Sequence, residues 1–110
     1  MSIKKLEHLL TNATEVTTGE VFQPKVSNRS YQVSAIADAG ANASATVNIE
    51  VSNYETKNYE TLAEFTFSSI NDSEESKIEV SRSAVRFVRA RIVNISGSGM
   101  TISAVMNGGD

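Results

Sequence analysis

Apolar residues recur at every second position over most of this chain, the period of strands with one buried face. Ala45, Val47, Ile49 and Val51 alternate strictly with Thr46, Asn48, Glu50 and Ser52. Tyr31, Val33, Ala35 and Ala37 alternate with Gln32, Ser34, Ile36 and Asp38, and this run stops at the small-residue turn 39–42. Leu62 and Ala63 lead into Phe65 and Phe67, with Glu64, Thr66 and Ser68 facing the other way, so two phenylalanines are expected in the core. A polar, acidic loop is predicted over 70–76, with Ile78 and Val80 marking a short strand after it. The most strand-like stretch, 85–106, predicts a long hairpin whose two β-forming runs flank Ser96, Gly97, Ser98 and Gly99.

In the first run of that hairpin, Phe87, Arg89, Arg91, Val93 and Ile95 share one face, and Val88, Ala90 and Ile92 share the other with Arg86 and Asn94. The Val88, Ala90 and Ile92 face is expected to be the core side, because the opposite face carries two arginines at its centre. Phe87, Val93 and Ile95 then require cover from a loop or another subunit. The spacing as a whole predicts an all-β antiparallel sandwich or jelly roll of about seven to eight strands. Residues 1–28 are expected to form an N-terminal arm or first edge strand, and residues 29–110 the β-sandwich domain. The one helical pattern, Ile3, Leu6, Leu9 and Leu10, is too short to hold by itself. The stretch 11–28 holds Pro24, Gly19 and four threonines, and reads either as an arm ordered against a surface or as an edge strand near 20–23.

With 110 residues, 40% of them hydrophobic and 21% charged, the chain suits a single folded domain rather than a disordered tail. It has no cysteine, which removes disulfides, thiolate metal sites and cysteine nucleophiles. Glu7 and His8 interrupt the apolar residues near the start, so no export signal is expected, and no apolar run approaches the roughly 20 residues of a spanning helix. The Asn-x-Ser/Thr triplets at Asn12, Asn28, Asn42, Asn71 and Asn94 are therefore read as a by-product of composition.

Chemistry narrows next. His8 is the lone imidazole, so a histidine-based triad or a multi-histidine metal site cannot be assembled within one chain. The carboxylates sit at polar strand positions or in loops, where solvated acids ordinarily sit, and Asp72, Glu74 and Glu75 lack the glycine and spacing of a calcium loop. Gly97 and Gly99 are not followed by the lysine of a phosphate-binding loop. No enzyme activity and no cofactor are expected. Four arginines, Arg82, Arg86, Arg89 and Arg91, fall within ten residues of a chain whose net charge is −3. A pI near 5.1 and a single interleaved aromatic, Phe87, speak against nucleic acid. Residues 50–79 hold eight acids and two lysines, so cross-strand ion pairing, within the domain or between subunits, is the plainer account of the arginines.

The runs Leu9 to Thr14, Arg29 to Gln32, Ala45 to Asn53, Asn58 to Thr66 and Val88 to Gly97 resemble the small β-sandwich structural proteins of tailed bacteriophages, several of which are capsid decoration or cement proteins. Parts of the pattern also resemble discoidin-type and carbohydrate-binding sandwiches, but Tyr59 stands where such domains usually carry tryptophan. The turn 53–58 also lacks glycine. The resemblance implies a virion structural protein, made in the bacterial cytoplasm and placed on the capsid surface. Its partner would be the major capsid protein, with neither nucleic acid nor membrane as partner. Lys4, Lys5, Leu6, Leu9 and Leu10 would lie on the shell, and Arg86, Arg89 and Arg91 would meet carboxylates. A homodimer or higher homo-oligomer would cover Phe87, Val93 and Ile95. The alternative is a carbohydrate- or receptor-binding module of a tail or other virion component, using Tyr54 and Tyr59.

Overall fold

A computed structural model describes residues 6–24, 28–83 and 85–107. Its seven strands are β1 (Leu6–Ala13), β2 (Asn28–Ala37), β3 (Ala43–Ser52), β4 (Glu60–Ile70), β5 (Ser73–Arg82), β6 (Phe87–Ser96) and β7 (Met100–Asn107). They form two antiparallel sheets, in the orders β1-β7-β2-β5 and β4-β3-β6. The described residues contain no helix, and so none long and apolar enough to cross a membrane.

The alternation seen in the sequence becomes the core. Tyr31, Val33, Ala35 and Ala37 of β2, with Ile102, Ala104 and Met106 of β7, face Val47 and Ile49 of β3, Phe65 and Phe67 of β4, and Val88, Ala90 and Ile92 of β6. All are buried, and each large side chain contributes about 1.5–3 kcal/mol by leaving water. Residues 17–22 supply an eighth, irregular strand along the outer edge of β6. Gly19 N–H donates to the Ala90 carbonyl at 2.8 Å, Ile92 N–H to Thr17 at 2.9 Å, and Phe22 and Val88 exchange bonds of 2.8 and 2.9 Å. With this strand counted, every connection but the β3–β4 hairpin passes from one sheet to the other, the wrapping of a jelly roll.

Several local expectations are corrected. Gly97–Gly99 does not close a hairpin, because β6 pairs with β3 and β7 pairs with β1 and β2. It is an arch between sheets, and at the same end it meets the crossovers from β2 to β3 and from β4 to β5. Asp38 N–H donates to the Gly99 carbonyl at 2.9 Å, and Asp72 N–H donates to the Asp38 carbonyl at 3.1 Å. Gly97 has φ +86°, and a Cβ there would stand 3.1 Å from Ala43 Cα, so backbone freedom and close approach both call for glycine. The expected acidic loop at 70–76 is a tight turn at Asn71 and Asp72 followed directly by β5, which carries Arg82. Residues 6–10 are strand, not helix. A bulge between His8 and Leu10 turns Leu9 and Leu10 both inward, which produces the helix-like spacing without a helix.

Candidate functional site

The three-stranded sheet turns a polar face outward, and the β3–β6 register decides what meets on it. Glu50 of β3 lies opposite Arg89 of β6, flanked by Thr61 of β4, and the next row holds Glu64, Asn48 and Arg91. Arg89 Nε donates to Glu50 Oε1 at 2.8 Å, and Arg91 Nη1 stands 3.6 Å from Glu50 Oε2. The Arg89 guanidinium also lies over the Tyr59 ring, 3.9 Å from its centroid, within cation–π range. Covered this way, Glu50 is 5% exposed, a charge taken out of water at an outward-facing position. It tolerates that burial because two cations and a direct hydrogen bond replace its hydration.

The same cluster anchors the loop between β3 and β4. Tyr59 O–H donates to the Glu55 carbonyl at 2.7 Å. Buried Ser52 donates to the Lys57 carbonyl at 2.7 Å while accepting the Tyr54 N–H at 3.0 Å. Burial raises the Tyr59 phenol above its ordinary 10.0, with Arg89 pulling it back and Glu55 and Glu50 reinforcing the rise. Inside the other sheet, burial likewise raises Tyr31, opposed by the neighbouring Arg29.

The residues expected to form one contact surface are distributed across the molecule. Lys4 and Lys5 lie outside the described residues. Leu6 is exposed at the start of β1, on the opposite sheet, whereas Leu9 and Leu10 are 2% and 6% exposed and belong to the core. Arg86 is exposed just before β6, with its guanidinium over the Phe87 ring at 5.3 Å and its N–H donating to Asn53 Oδ1 at 3.2 Å. Arg89 is committed to Glu50, Arg91 is exposed, and Phe87 and Val93 are half-buried. Ile95 is turned away from them. Val93 is the extra residue of a bulge opposite Thr46 and Val47, so the side-chain parity flips and Ile95 packs inward beside Ala45. Residues 17–22 pair with the backbone edge of this strand.

Sequence reasoning missed Glu50, whose position in a clean alternation gives no sign of which cation will lie opposite. It also missed the open face of β5, where Ile78 and Val80 are exposed. The signal for that was present, since Ile78 and Val80 alternate with Lys77 and Glu79 and leave neither side of the strand wholly apolar. Chemically, the Glu50 cluster is a closed ion-pair network with Arg89 and Arg91. Among the described residues, no group of three or more His, Asp or Glu side chains is placed to hold a metal.

No family model matches the chain, and no curated protein matches its sequence. Solved structures share its fold. The PBSX exported protein XepA superposes with a TM-score of 0.62 at 20% identity, over 96% of this chain and 37% of that one. The SPBc2 prophage-derived protein YomS does so with 0.58 at 16% identity, over 97% of this chain and 96% of its own. The K1 cleaved adhesin domain of Lys-gingipain from Porphyromonas gingivalis W83 gives 0.59 at 10% identity, over 96% and 73%. This chain thus spans little more than a third of XepA, and nearly all of YomS.

Proposed function

We propose that this protein is a non-enzymatic structural component of a tailed-phage virion, and specifically a head decoration or cement protein bridging subunits of the major capsid protein. The observation that carries the reading is a jelly roll matching a prophage-derived protein from end to end, with Glu50, the one buried acid among the described residues, paired to its own arginines. Such a domain is a rigid spacer. Bound across neighbouring subunits, it stabilises the assembled shell by mass action, and repetition over a lattice makes weak single contacts sufficient. Leu6, Arg86 and Arg91 are on the surface for such a contact, whereas Leu9, Leu10 and Ile95 are not. The test is density-gradient purification of the encoding phage with and without this gene. The protein is expected in the head fraction, with heads lacking it losing DNA at lower temperature. Its absence from purified heads overturns the proposal.

A receptor- or carbohydrate-binding module is favoured by one feature, the ring of Tyr54, 55% exposed on the β3–β4 loop with Lys57 Nζ 4.9 Å from its centroid. The adhesin domain with the same fold supports the same reading. Tyr59 does not serve it, since Arg89 covers its ring. Saturable glycan binding lost in Tyr54→Ala would replace the capsid reading.

A further inference from the structure

We infer that β5 is a self-complementary edge, pairing antiparallel with the β5 of a second copy, centred on Ile78, to fuse two four-stranded sheets into one of eight. Among the described residues β5 is hydrogen-bonded on one side only, to β2, and that pairing runs over ten residues without a bulge. The strand is exposed along nearly its whole length, with Ile78 at 62% and Val80 at 76%. A long, flat edge of this kind offers a row of backbone donors and acceptors to another strand.

The side chains select the partner. In a two-fold antiparallel pair the opposed residue numbers add to a constant, and the two outer faces stay on one side only if odd meets odd and even meets even. Centred on Ile78, Ile78 meets its own copy, Lys77 meets Glu79, and Glu74 meets Arg82, each of these ion pairs occurring twice. Ser76 meets Val80 and Glu75 meets Ser81. Centred one residue earlier, Lys77 would face itself and Glu75 would face Glu79; centred one later, Glu79 would face itself with no opposite charges opposed. Centred on Ser76, only Glu75 and Lys77 would be opposed as ion pairs and the overlap would be shorter, so the charges of this edge favour the register centred on Ile78, which opposes both Lys77 with Glu79 and Glu74 with Arg82. Glu79 has room to turn to a partner because it is exposed. Lys77 reaches the Thr66 carbonyl and lies over Phe67, so its ammonium already sits beyond the sheet on the inner side. On the outer side, the pairing joins the groove lined by Leu6, Val105, Gln32 and Ile78 to its copy across the two-fold axis.

Sedimentation velocity over a concentration series tests this. The wild-type chain is expected to dimerise reversibly. Glu79→Lys, which opposes Lys77 with lysine at two symmetric places, should weaken the dimer about tenfold or more, and Ile78→Lys should do the same. The swap Lys77→Glu with Glu79→Lys should restore it, an outcome that lost folding cannot imitate. A wild-type chain that stays monomeric, or a dimer indifferent to both Ile78→Lys and Glu79→Lys, overturns the inference. In the second case the contact lies elsewhere, with the Phe87 surface first to be examined. The pairing uses no residue of β6, so capsid binding can fail while the dimer stands.

Discussion

Strands β6 and β5 are both ten residues long, both charged and both at the end of their sheets, yet the fold closes one and leaves the other open. Along β6, residues 17–22 take up the outer backbone groups, and Arg89 and Arg91 turn to Glu50 within the same sheet. Along β5, Glu74 and Glu79 are exposed, and the exposed Arg82 donates from Nε to Asn28 Oδ1 at 2.9 Å. The lesson is that charge on a strand says little about binding until its register is known. The arginines, the most conspicuous feature of the sequence, are largely occupied internally, and the plainer acidic strand is the one that presents an unsatisfied edge.

The closure of β6 depends most sharply on Gly19, where the chain passes from β1 to β6. A Cβ there would stand 2.1 Å from the Leu9 carbonyl oxygen while Gly19 N–H is held by Ala90, so neither side has room to shift. Gly19→Ala is expected to cost about 3 kcal/mol, on the order of 12 °C in Tm for a domain of this size, and to expose the β6 edge. Urea denaturation and amide exchange at Ala90 and Ile92 measure both effects. A variant as stable and as protected as wild type would show that residues 17–22 lie on β6 without holding it.

Next in size is the ion pair itself. Glu50→Ala leaves Arg89 without its partner in a half-buried place, and about 2 kcal/mol should be lost, less than for a fully buried pair because Arg89 keeps a quarter of its side chain in water. Adding Arg89→Ala should recover part of the loss, since the second charge is then removed too. The same change on β5, Glu74→Ala, should stay within about 0.5 kcal/mol. Equal losses for Glu50→Ala and Glu74→Ala would erase the distinction between the two strands.

These contrasts also mark how far the sequence could be read. Wherever a run held no added residue of its own the period of two was reliable: Tyr31 to Ala37, Ala45 to Val51, Phe65 and Phe67, and Val88 to Ile92 all took the faces their spacing predicted. It failed at bulges. An added residue at Leu9 imitated a helix and another at Val93 moved Ile95 inward, because parity carries no memory across an unpaired residue. Turn chemistry at Gly97 and Gly99 announced a reversal but not the sheet in which the next strand would land, which depends on contacts 63 to 77 residues away in β2. Glu50 was invisible for the same reason, as a solvated acid and a buried one share the same alternation.

The smallest expected effect separates the two edges most cleanly. Ile78→Thr with Val80→Thr keeps β-branched side chains on a strand and removes apolar surface that is already mostly in water, so monomer stability should change by no more than about 0.5 kcal/mol. In dilute solution the variant and the wild type should therefore melt together. At high concentration they should part, because a dimer that forms only from folded chains raises the apparent Tm as concentration rises. A wild-type Tm that climbs with concentration, beside a variant Tm that does not, assigns the difference to the β5 edge. If both curves stay flat, β5 is as solitary as β6 is covered.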